Sequence, residues 1–344
     1  MESSLCTKTL GNSAYQAIAK HYKKFVKRET DVYQTKDPEQ LHQMRVELRR
    51  LRTAIQVFAP AVKLPHSLQN KQLSKIARCL GAVRDLDVLL EQLKNNYLNI
   101  LPTNEAKQLK EFTHKLQKQR EKANHEVKAM LASDSYQSVK QTLQSWLDQP
   151  KFRAIAAIPL PYAFPTLLLP LLSQLLLHPG WFVGVEFLPS AHQFLQVDYA
   201  YLVSHQSELH DLRKKIKQVR YQAEFFLEFY GDDFAQRVKD FARAQTILGF
   251  IQDRFVLNGI LLQMLKVELT EAMPTLAEIL IQHQVEDWQS WHLMQQNYLN
   301  PEFRNLLYQT MILPEFSFGQ ITAQQSEELS EVSSEGSFAD GLAG

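Results

Sequence analysis

Apolar residues recur at three- and four-residue intervals through most of the chain, with few runs of β-branched residues. This period is typical of amphipathic α-helices, which bury one face against the core. Turn residues stand in small clusters between the periodic segments. The pattern therefore predicts an all-α protein. The predicted helices include Ser13–Glu29, Leu68–Asn95, Glu105–Leu131, Tyr136–Leu147, Tyr199–Tyr230, Phe234–Leu269, Thr275–Val285 and Glu302–Gln309.

The best-marked helix start is Asp37-Pro38-Glu39. Asp37 is a favourable N-cap, Pro38 suits the first helical position, and Glu39 places an acid in the first turn. Pro60 is predicted to end this helix, because proline cannot donate the next backbone hydrogen bond.

The segment from Ala154 to Val185 contains no Asp, Glu, Lys or Arg and is long enough to cross a bilayer. Four prolines argue against a membrane span, since each removes a backbone donor that lipid cannot replace. These prolines are Pro159, Pro161, Pro165 and Pro170. We therefore expect buried connecting helices here, and no membrane insertion.

The composition is that of a soluble globular protein, with 45% hydrophobic and 22% charged residues over a length of 344. The formal net charge is only +1, but the charge is unevenly distributed. Arg304 is the last basic residue, and six acidic residues follow it. Residues 1–304 thus carry +7, and residues 316–344 are predicted to form an acidic, disordered tail rich in Ser, Glu and Gly.

Two cysteines, Cys6 and Cys79, are too few for a disulfide framework or a structural zinc site. The first residues, Met1 to Leu5, lack the basic region and apolar core of a secretory signal. Both observations favour a cytoplasmic protein, and no cofactor or metal site is predicted.

One offset aligns two separate parts of the chain. Leu41–Arg52 recurs 168 residues later as Leu209–Arg220, and the same offset carries Leu80–Leu89 onto Leu248–Leu257. Two motifs that keep their spacing indicate an internal duplication. We therefore predict a duplicated helical bundle over residues 10–315, with one half at about 12–150 and the other at about 165–315, related by a pseudo-twofold axis.

Both copies carry a row of basic residues. On a helix, His42, Arg45, Arg49 and Arg52 fall within an arc of about 80° beside the apolar stripe. The second copy repeats the row with His210, Arg213, Lys217 and Arg220. Further basic candidates flank the rows or follow on the next helix, namely Arg50, Lys71, Lys75, Arg78, Lys214, Lys239 and Arg243.

These basic rows admit two interpretations. Long Arg and Lys side chains often only cover apolar surface and stay solvated. Here the rows border the core, hold few acids and occur twice, and uncompensated like charges are unfavourable unless an anion joins them. The rows are therefore predicted to converge on a basic channel whose field concentrates polyanions.

Asp85 and Asp87 in Arg84-Asp85-Leu86-Asp87 suggest either a metal or acid–base site, or structural support. Only Asp85 recurs, as Asp253, which favours a structural role in which both orient the basic rows through charge-assisted hydrogen bonds. Gly81 and Gly249 stand in mid-helix, where glycine is unfavourable. They predict a close approach between helices at these points.

These motifs resemble the CHAD family, the conserved histidine α-helical domain. Its hallmark is a duplicated His-x-x-Arg-x-x-x-Arg-Arg-x-Arg helix followed by Leu-Gly-x-x-Arg-Asp-x-Asp-Val, which Leu41–Arg52 and Leu80–Val88 match closely. The resemblance implies a two-half helical bundle around a basic channel that binds inorganic polyphosphate, in some members on polyphosphate granules. It maps the channel onto the two basic rows.

The second copy departs from this pattern. Lys217 replaces an Arg, Gln218 stands opposite Arg50, and Gln252 replaces the Arg before Asp253. Arg binds phosphate bidentately whereas Lys acts as a point charge, so the second half is expected to bind less firmly.

The chain lacks the motifs of several enzyme classes. It has no Glu-x-Glu-x-Lys of the CYTH domain that some family members carry, no P-loop, no His-Glu-x-x-His helix and no Gly-x-Ser-x-Gly elbow. We therefore predict non-catalytic polyphosphate binding. The alternatives are a general polyanion or nucleic-acid binding protein, and a metal-dependent phosphohydrolase that uses His42 or His210 with Asp85 or Asp253.

Overall fold

The structure, a computed structural model, describes residues 9–34, 37–68, 71–189 and 191–312, without the side chains of residues 67, 71 and 191. The helices are α1 (Leu10–Lys27), α2 (Glu29–Gln34), α3 (Pro38–Val57), α4 (Lys71–Gln92), α5 (Thr103–Ala132), α6 (Asp134–Asp148), α7 (Leu160–Leu176), α8 (Tyr199–Ser204), α9 (Gln206–Ala223), α10 (Asp232–Leu265), α11 (Leu269–Ala272), α12 (Pro274–Leu299) and α13 (Pro301–Ile312). Two strands, β1 (Val185–Leu188) and β2 (Ala191–Phe194), form an antiparallel hairpin. The all-α prediction is confirmed.

Helix α3 starts as its sequence predicts. The Asp37 side chain accepts a hydrogen bond from the backbone N–H of Glu39 at 2.9 Å, and Pro38 is the first helical residue. This cap satisfies one of the backbone donors that a helix leaves open at its N-terminus. The apolar stripe that begins at Leu41 is buried as far as Phe58, which directly follows the helix.

The two helices with the basic rows lie side by side in the middle of the molecule. Helix α3 packs against α1 and α4, whereas α9 packs against α7 and α10, and α3 and α9 also contact each other. Their apolar stripes belong to one core, in which Leu48 of α3 and Ile216 of α9 are both fully buried. Burial of these stripes fixes the basic rows at the α3–α9 junction, because the rows border the stripes.

A second, smaller core lies at the far ends of α4 and α10, where α5, α11 and α12 also pack. Here a buried carboxylate joins the two parts of the chain. Glu105 of α5 accepts hydrogen bonds from the backbone N–H groups of Thr275 (3.0 Å) and Leu276 (2.9 Å). Glu105 therefore caps the N-terminus of α12 from a distant segment, where the helix dipole favours a negative charge.

The apolar segment from Ala154 to Val185 folds into the core, as predicted. Its main element is α7, which packs against α9 and α13 and fully buries Phe164 and Leu172. Pro165 and Pro170 lie inside this helix. Within the described ranges, every helix falls short of the length and hydrophobicity that a bilayer crossing requires.

The predicted helix Tyr199–Tyr230 is wrong in extent, because it breaks at His205 into α8 and α9 and ends in the 3₁₀ segment Glu224–Phe229. The helix predicted at Thr275–Val285 continues to Leu299. Its apolar face is interrupted in sequence by Gln295, whose buried amide donates to the backbone oxygens of Trp181 (2.7 Å) and Val183 (2.8 Å). The predicted tail at 316–344 lies outside the described residues.

Candidate anion-binding site

The basic rows of α3 and α9 meet around Lys217. Burial is the main effect that lowers the pKa of Lys217, and four neighbouring guanidinium groups lower it further, to about 8. We call this group of five side chains the cationic cluster; it consists of Arg45, Arg49, Arg213, Lys217 and Arg220. The two rows that the sequence predicts to converge therefore act on one shared side chain.

Tyr221 makes cation–π contacts with three side chains of the cluster. Its buried ring lies 4.3 Å from the guanidinium carbon of Arg49 and 4.2 Å from that of Arg220, and Lys217 Nζ is 6.0 Å from the ring centroid. Cations over an aromatic face are attracted by the ring quadrupole. The sequence places Tyr221 in the second copy of the motif but assigns it no role, although its place directly after the last basic position of the second row was a usable signal.

The two mid-helix glycines make room for two arginines of the cluster. A methyl group at Gly249 of α10 would lie 3.3 Å from both Nε and Nη2 of Arg213, and one at Gly81 of α4 would lie 3.7 Å from Nε of Arg45. The predicted close approach therefore occurs between a guanidinium group and the next helix. The first distance is tighter than ordinary van der Waals contact, and the second is within it.

The last arginine of each row is anchored to the following helix. Arg52 donates from Nη2 to Ser74 Oγ of α4 at 3.0 Å. Arg220 donates from Nε to Gln245 Oε1 of α10 at 3.0 Å. Both anchors are neutral, so these two hydrogen bonds position the guanidinium groups without adding a negative charge.

Few carboxylates neutralise the cluster. Arg220 pairs with Glu224 at 2.7 Å, and Arg45 lies 3.6 Å from the exposed Asp85. For Arg49, Arg213 and Lys217, the part of the chain that the structure describes supplies no carboxylate oxygen within the 4.0 Å of an ion pair. The cluster therefore has an excess of positive charge at its centre.

Asp253 lies near Arg213 but forms its hydrogen bond with Gln92. Its Oδ2 accepts a hydrogen bond from Gln92 Nε2 at 3.2 Å, and burial raises its pKa while the charge of Arg213 opposes that rise. Asp85 lies 3.6 Å from Arg45, which is longer than the charge-assisted hydrogen bond predicted for it, and Asp253 acts on Arg213 only through its field. The two aspartates that the repeat aligns thus lie in different environments.

The histidines at the head of the rows both have a lowered pKa, which favours the neutral ring. Burial, and then the charge of Arg84, lowers the pKa of His42; burial, and then Lys214 and Arg213, lowers the pKa of His210. Nδ1 of both rings is buried without a hydrogen-bond partner among the described residues, as are Nε of Arg49 and Nε of Arg213. The two guanidinium Nε groups are buried donors without a partner in the described part of the chain, which is unfavourable in the empty site.

The remaining sequence candidates lie outside the cluster. Lys214 pairs with Asp211 at 2.6 Å, and both are exposed. Arg50 faces away from the cluster into a separate cavity that it shares with Lys20 and His21. The side chain of Lys71 lies outside the described residues. The other four candidates are exposed, namely Lys75, Arg78, Lys239 and Arg243.

The described residues hold no group of three or more His, Cys, Asp or Glu side chains arranged to bind a metal ion. The cluster itself offers donors and positive charge, and it can bind a ligand with several negative charges.

The comparisons with known proteins agree with this architecture. The family model described as "CHAD domain" matches residues 16–262. The CHAD domain from the plant Ricinus communis has a similar crystal structure, with a TM-score of 0.57, 25% identity, and coverage of 88% of this chain and 91% of that one. PptA from Streptomyces chartreusis has the same fold at 15% identity, with a TM-score of 0.61 and coverage of 85% and 99%. No curated protein matches the chain. The chain belongs to the CHAD domain family.

Proposed function

We propose that this protein binds inorganic polyphosphate in its cationic cluster without catalysing a reaction. The observation that carries the proposal is that the half-buried Lys217 lies among four arginines with too few carboxylates to balance them. Such a site is unfavourable when empty and becomes favourable when negative charges enter it.

The proposal includes a basic channel built from two related halves. Gly81 lies against Arg45, and Gly249 lies against Arg213. Each residue of the first pair precedes its counterpart in the second by the offset of the sequence repeat. Two rows that run side by side suit a linear ligand with a regular charge spacing, because successive phosphates can contact α3 and α9 in turn. Association with polyphosphate granules would follow from such binding.

Each type of side chain in the cluster would bind phosphate in a different way. Arg49 and Arg213 bind phosphate oxygens through paired N–H groups, whereas Lys217 supplies a point charge between them. His42 and His210 are neutral when the site is empty, and a phosphate beside them would raise the pKa of each ring.

Calorimetric titration with polyphosphates of several lengths tests the proposal. We expect affinity to rise with chain length and to fall steeply with added salt, as for other polyanion contacts. The double variant Arg49→Gln/Arg213→Gln should weaken binding by about 3 kcal/mol or more, since each lost charged contact is worth about 1.5 kcal/mol. The matched control is Lys118→Gln on α5, which removes an exposed charge outside α3 and α9 and should bind normally. Equal weakening by the control would contradict the proposal.

Nucleic acid is the competing ligand. Tyr221, whose ring contacts the cationic cluster, is buried and already stacked by Arg49 and Arg220. Its ring is therefore not open to stack on bases. We therefore expect tRNA and duplex DNA to displace polyphosphate poorly. Equal displacement would instead indicate a general polyanion site, and phosphate release in the presence of Mg²⁺ or Mn²⁺ would indicate hydrolysis.

A further inference from the structure

A second cavity lies beside the cationic cluster. It encloses about 490 Å³ between α1, α3 and the 3₁₀ segment Glu224–Phe229, and Tyr221 forms part of its wall. This volume is in the range of about 300–1,000 Å³ that is usual for small-molecule sites. Nothing in the polyphosphate proposal uses this cavity.

A buried His–Glu pair gives the cavity a defined hydrogen-bond acceptor. His21 is 5% exposed, and its Nδ1 lies 2.7 Å from Glu47 Oε2. Burial lowers the pKa of His21, so the ring is neutral at pH 7 and its single proton is on Nδ1, where it is donated to the carboxylate. Nε2 is then an acceptor, and His21 lines the cavity, so this atom can receive an N–H or O–H of a ligand.

The cavity wall carries both signs of charge, with Lys20 and Arg50 as cations and Glu224 and Glu228 as acids. Lys20 and Arg50 are exposed and pair with no carboxylate among the described side chains. Glu224 also lines the cavity, but its carboxylate is held by Arg220 at 2.7 Å, which leaves one oxygen as an acceptor. The two cations are placed to bind an anionic group.

Aromatic rings form part of the apolar wall, together with Ala17, Leu160 and Leu227. The rings of Phe58 and Phe225 are 6.1 Å apart and nearly perpendicular, and Phe225 also meets the edge of His21 at 5.9 Å. Flat ring faces favour a flat, unsaturated ligand, because stacked or edge-on rings add about 0.5–1.5 kcal/mol beyond buried area.

We propose that this cavity binds a small organic anion with an amine-bearing aromatic ring, the chemical class of the nucleoside monophosphates. Arg50 and Lys20 bind the anionic group, Phe225 packs on the ring, and His21 Nε2 accepts from the ring amine. This binding is separable from that of polyphosphate, because Lys20 and Arg50 lie outside the cationic cluster, although Tyr221 and Glu224 border both sites.

Calorimetric titration with adenosine monophosphate tests the site. Arg50→Gln should weaken binding about tenfold, the value of one charge-assisted hydrogen bond. Leu227→Trp fills the cavity from its rim and should abolish binding. Adenosine lacks the anion and ribose 5-phosphate lacks the ring, so each should bind at least about tenfold more weakly. Circular dichroism confirms that each variant is folded.

The matched control is Arg49→Gln, one residue away on α3 but in the cationic cluster. It should weaken tripolyphosphate binding and leave adenosine monophosphate binding unchanged, whereas Arg50→Gln should do the opposite. The cavity proposal is overturned by an absence of binding, by displacement of the nucleotide with tripolyphosphate, or by ribose 5-phosphate binding as tightly as the nucleotide. Failure of the polyphosphate arm alone would overturn the proposed function and leave this site in place.

Discussion

Replacing Lys217 by Met should stabilise the empty protein and weaken its binding of polyphosphate. Lys217 is half-buried among four arginines, and methionine keeps an unbranched apolar stem of similar length without the charge. A residue that serves only the fold would lose stability on such a change. Opposite effects on stability and on binding are therefore diagnostic of a functional charge.

The size of the effect follows from the pKa of Lys217. Its pKa falls from 10.5 to about 8 in the folded protein, and this difference corresponds to about 3 kcal/mol against the charged form. The cost is fully present below pH 8, where the group is charged in both states. Between pH 8 and 10.5 the unfolded chain holds the proton and the folded one does not, so stability rises with pH through this window.

The assay is urea unfolding of the native protein and Lys217→Met at pH 7 and pH 10.5. We expect the variant to be more stable by about 1–3 kcal/mol at pH 7, with the gain disappearing by pH 10.5. Lys217→Arg is the control, since it keeps its charge over the whole range. Native affinity for polyphosphate should fall as the pH rises through 8, and that of Lys217→Arg should stay level. A variant that is less stable at pH 7, or a difference that does not depend on pH, would refute this reasoning.

Three further predictions concern single contacts. Gly249→Ala should push Arg213 aside and weaken polyphosphate binding about tenfold, whereas Gly81→Ala should bind normally, and calorimetry compares the two. Both changes should raise helix stability by up to about 1 kcal/mol, so neither is expected to unfold the protein. An equal loss of polyphosphate affinity in the two variants would contradict the argument from the Arg213 contact. Glu105→Ala should lower the free energy of unfolding by about 2–3 kcal/mol in urea titration, because it uncaps α12; a change below about 0.5 kcal/mol would be inconsistent with the cap. Tyr221→Leu should lower the same quantity by about 1–2 kcal/mol by removing two cation–π contacts, and unchanged stability would show that the stack contributes nothing.

Much of the fold was predictable because its signals are local. The Asp37 cap, the apolar stripe of α3 and the helical period are properties of neighbouring residues, and the structure contains them as expected. The sequence predicted a close contact at each glycine but not that an arginine side chain makes it. The contacting residue belongs to a neighbouring helix, which the local sequence does not identify. The extent of α12 beyond Val285 was missed, and the buried Gln295 in that part is polar in sequence but is satisfied by distant backbone oxygens.

The candidate site was predictable as a set of residues and not as an arrangement. Arg49 and Arg50 are adjacent in sequence, yet a helix turns about 100° between them, so the first joins the cationic cluster and the second faces another cavity. The stack on Tyr221 joins residues of α3 and α9 that are far apart in the chain. Such tertiary contacts have no local signal.

The most direct test of the central claim is a crystal structure of the protein with tripolyphosphate bound. The account predicts phosphate oxygens within hydrogen-bond distance of Arg49, Arg213 and Lys217, with the ligand lying along the junction of α3 and α9. A ligand bound only to exposed lysines, with the cationic cluster left empty, would contradict it.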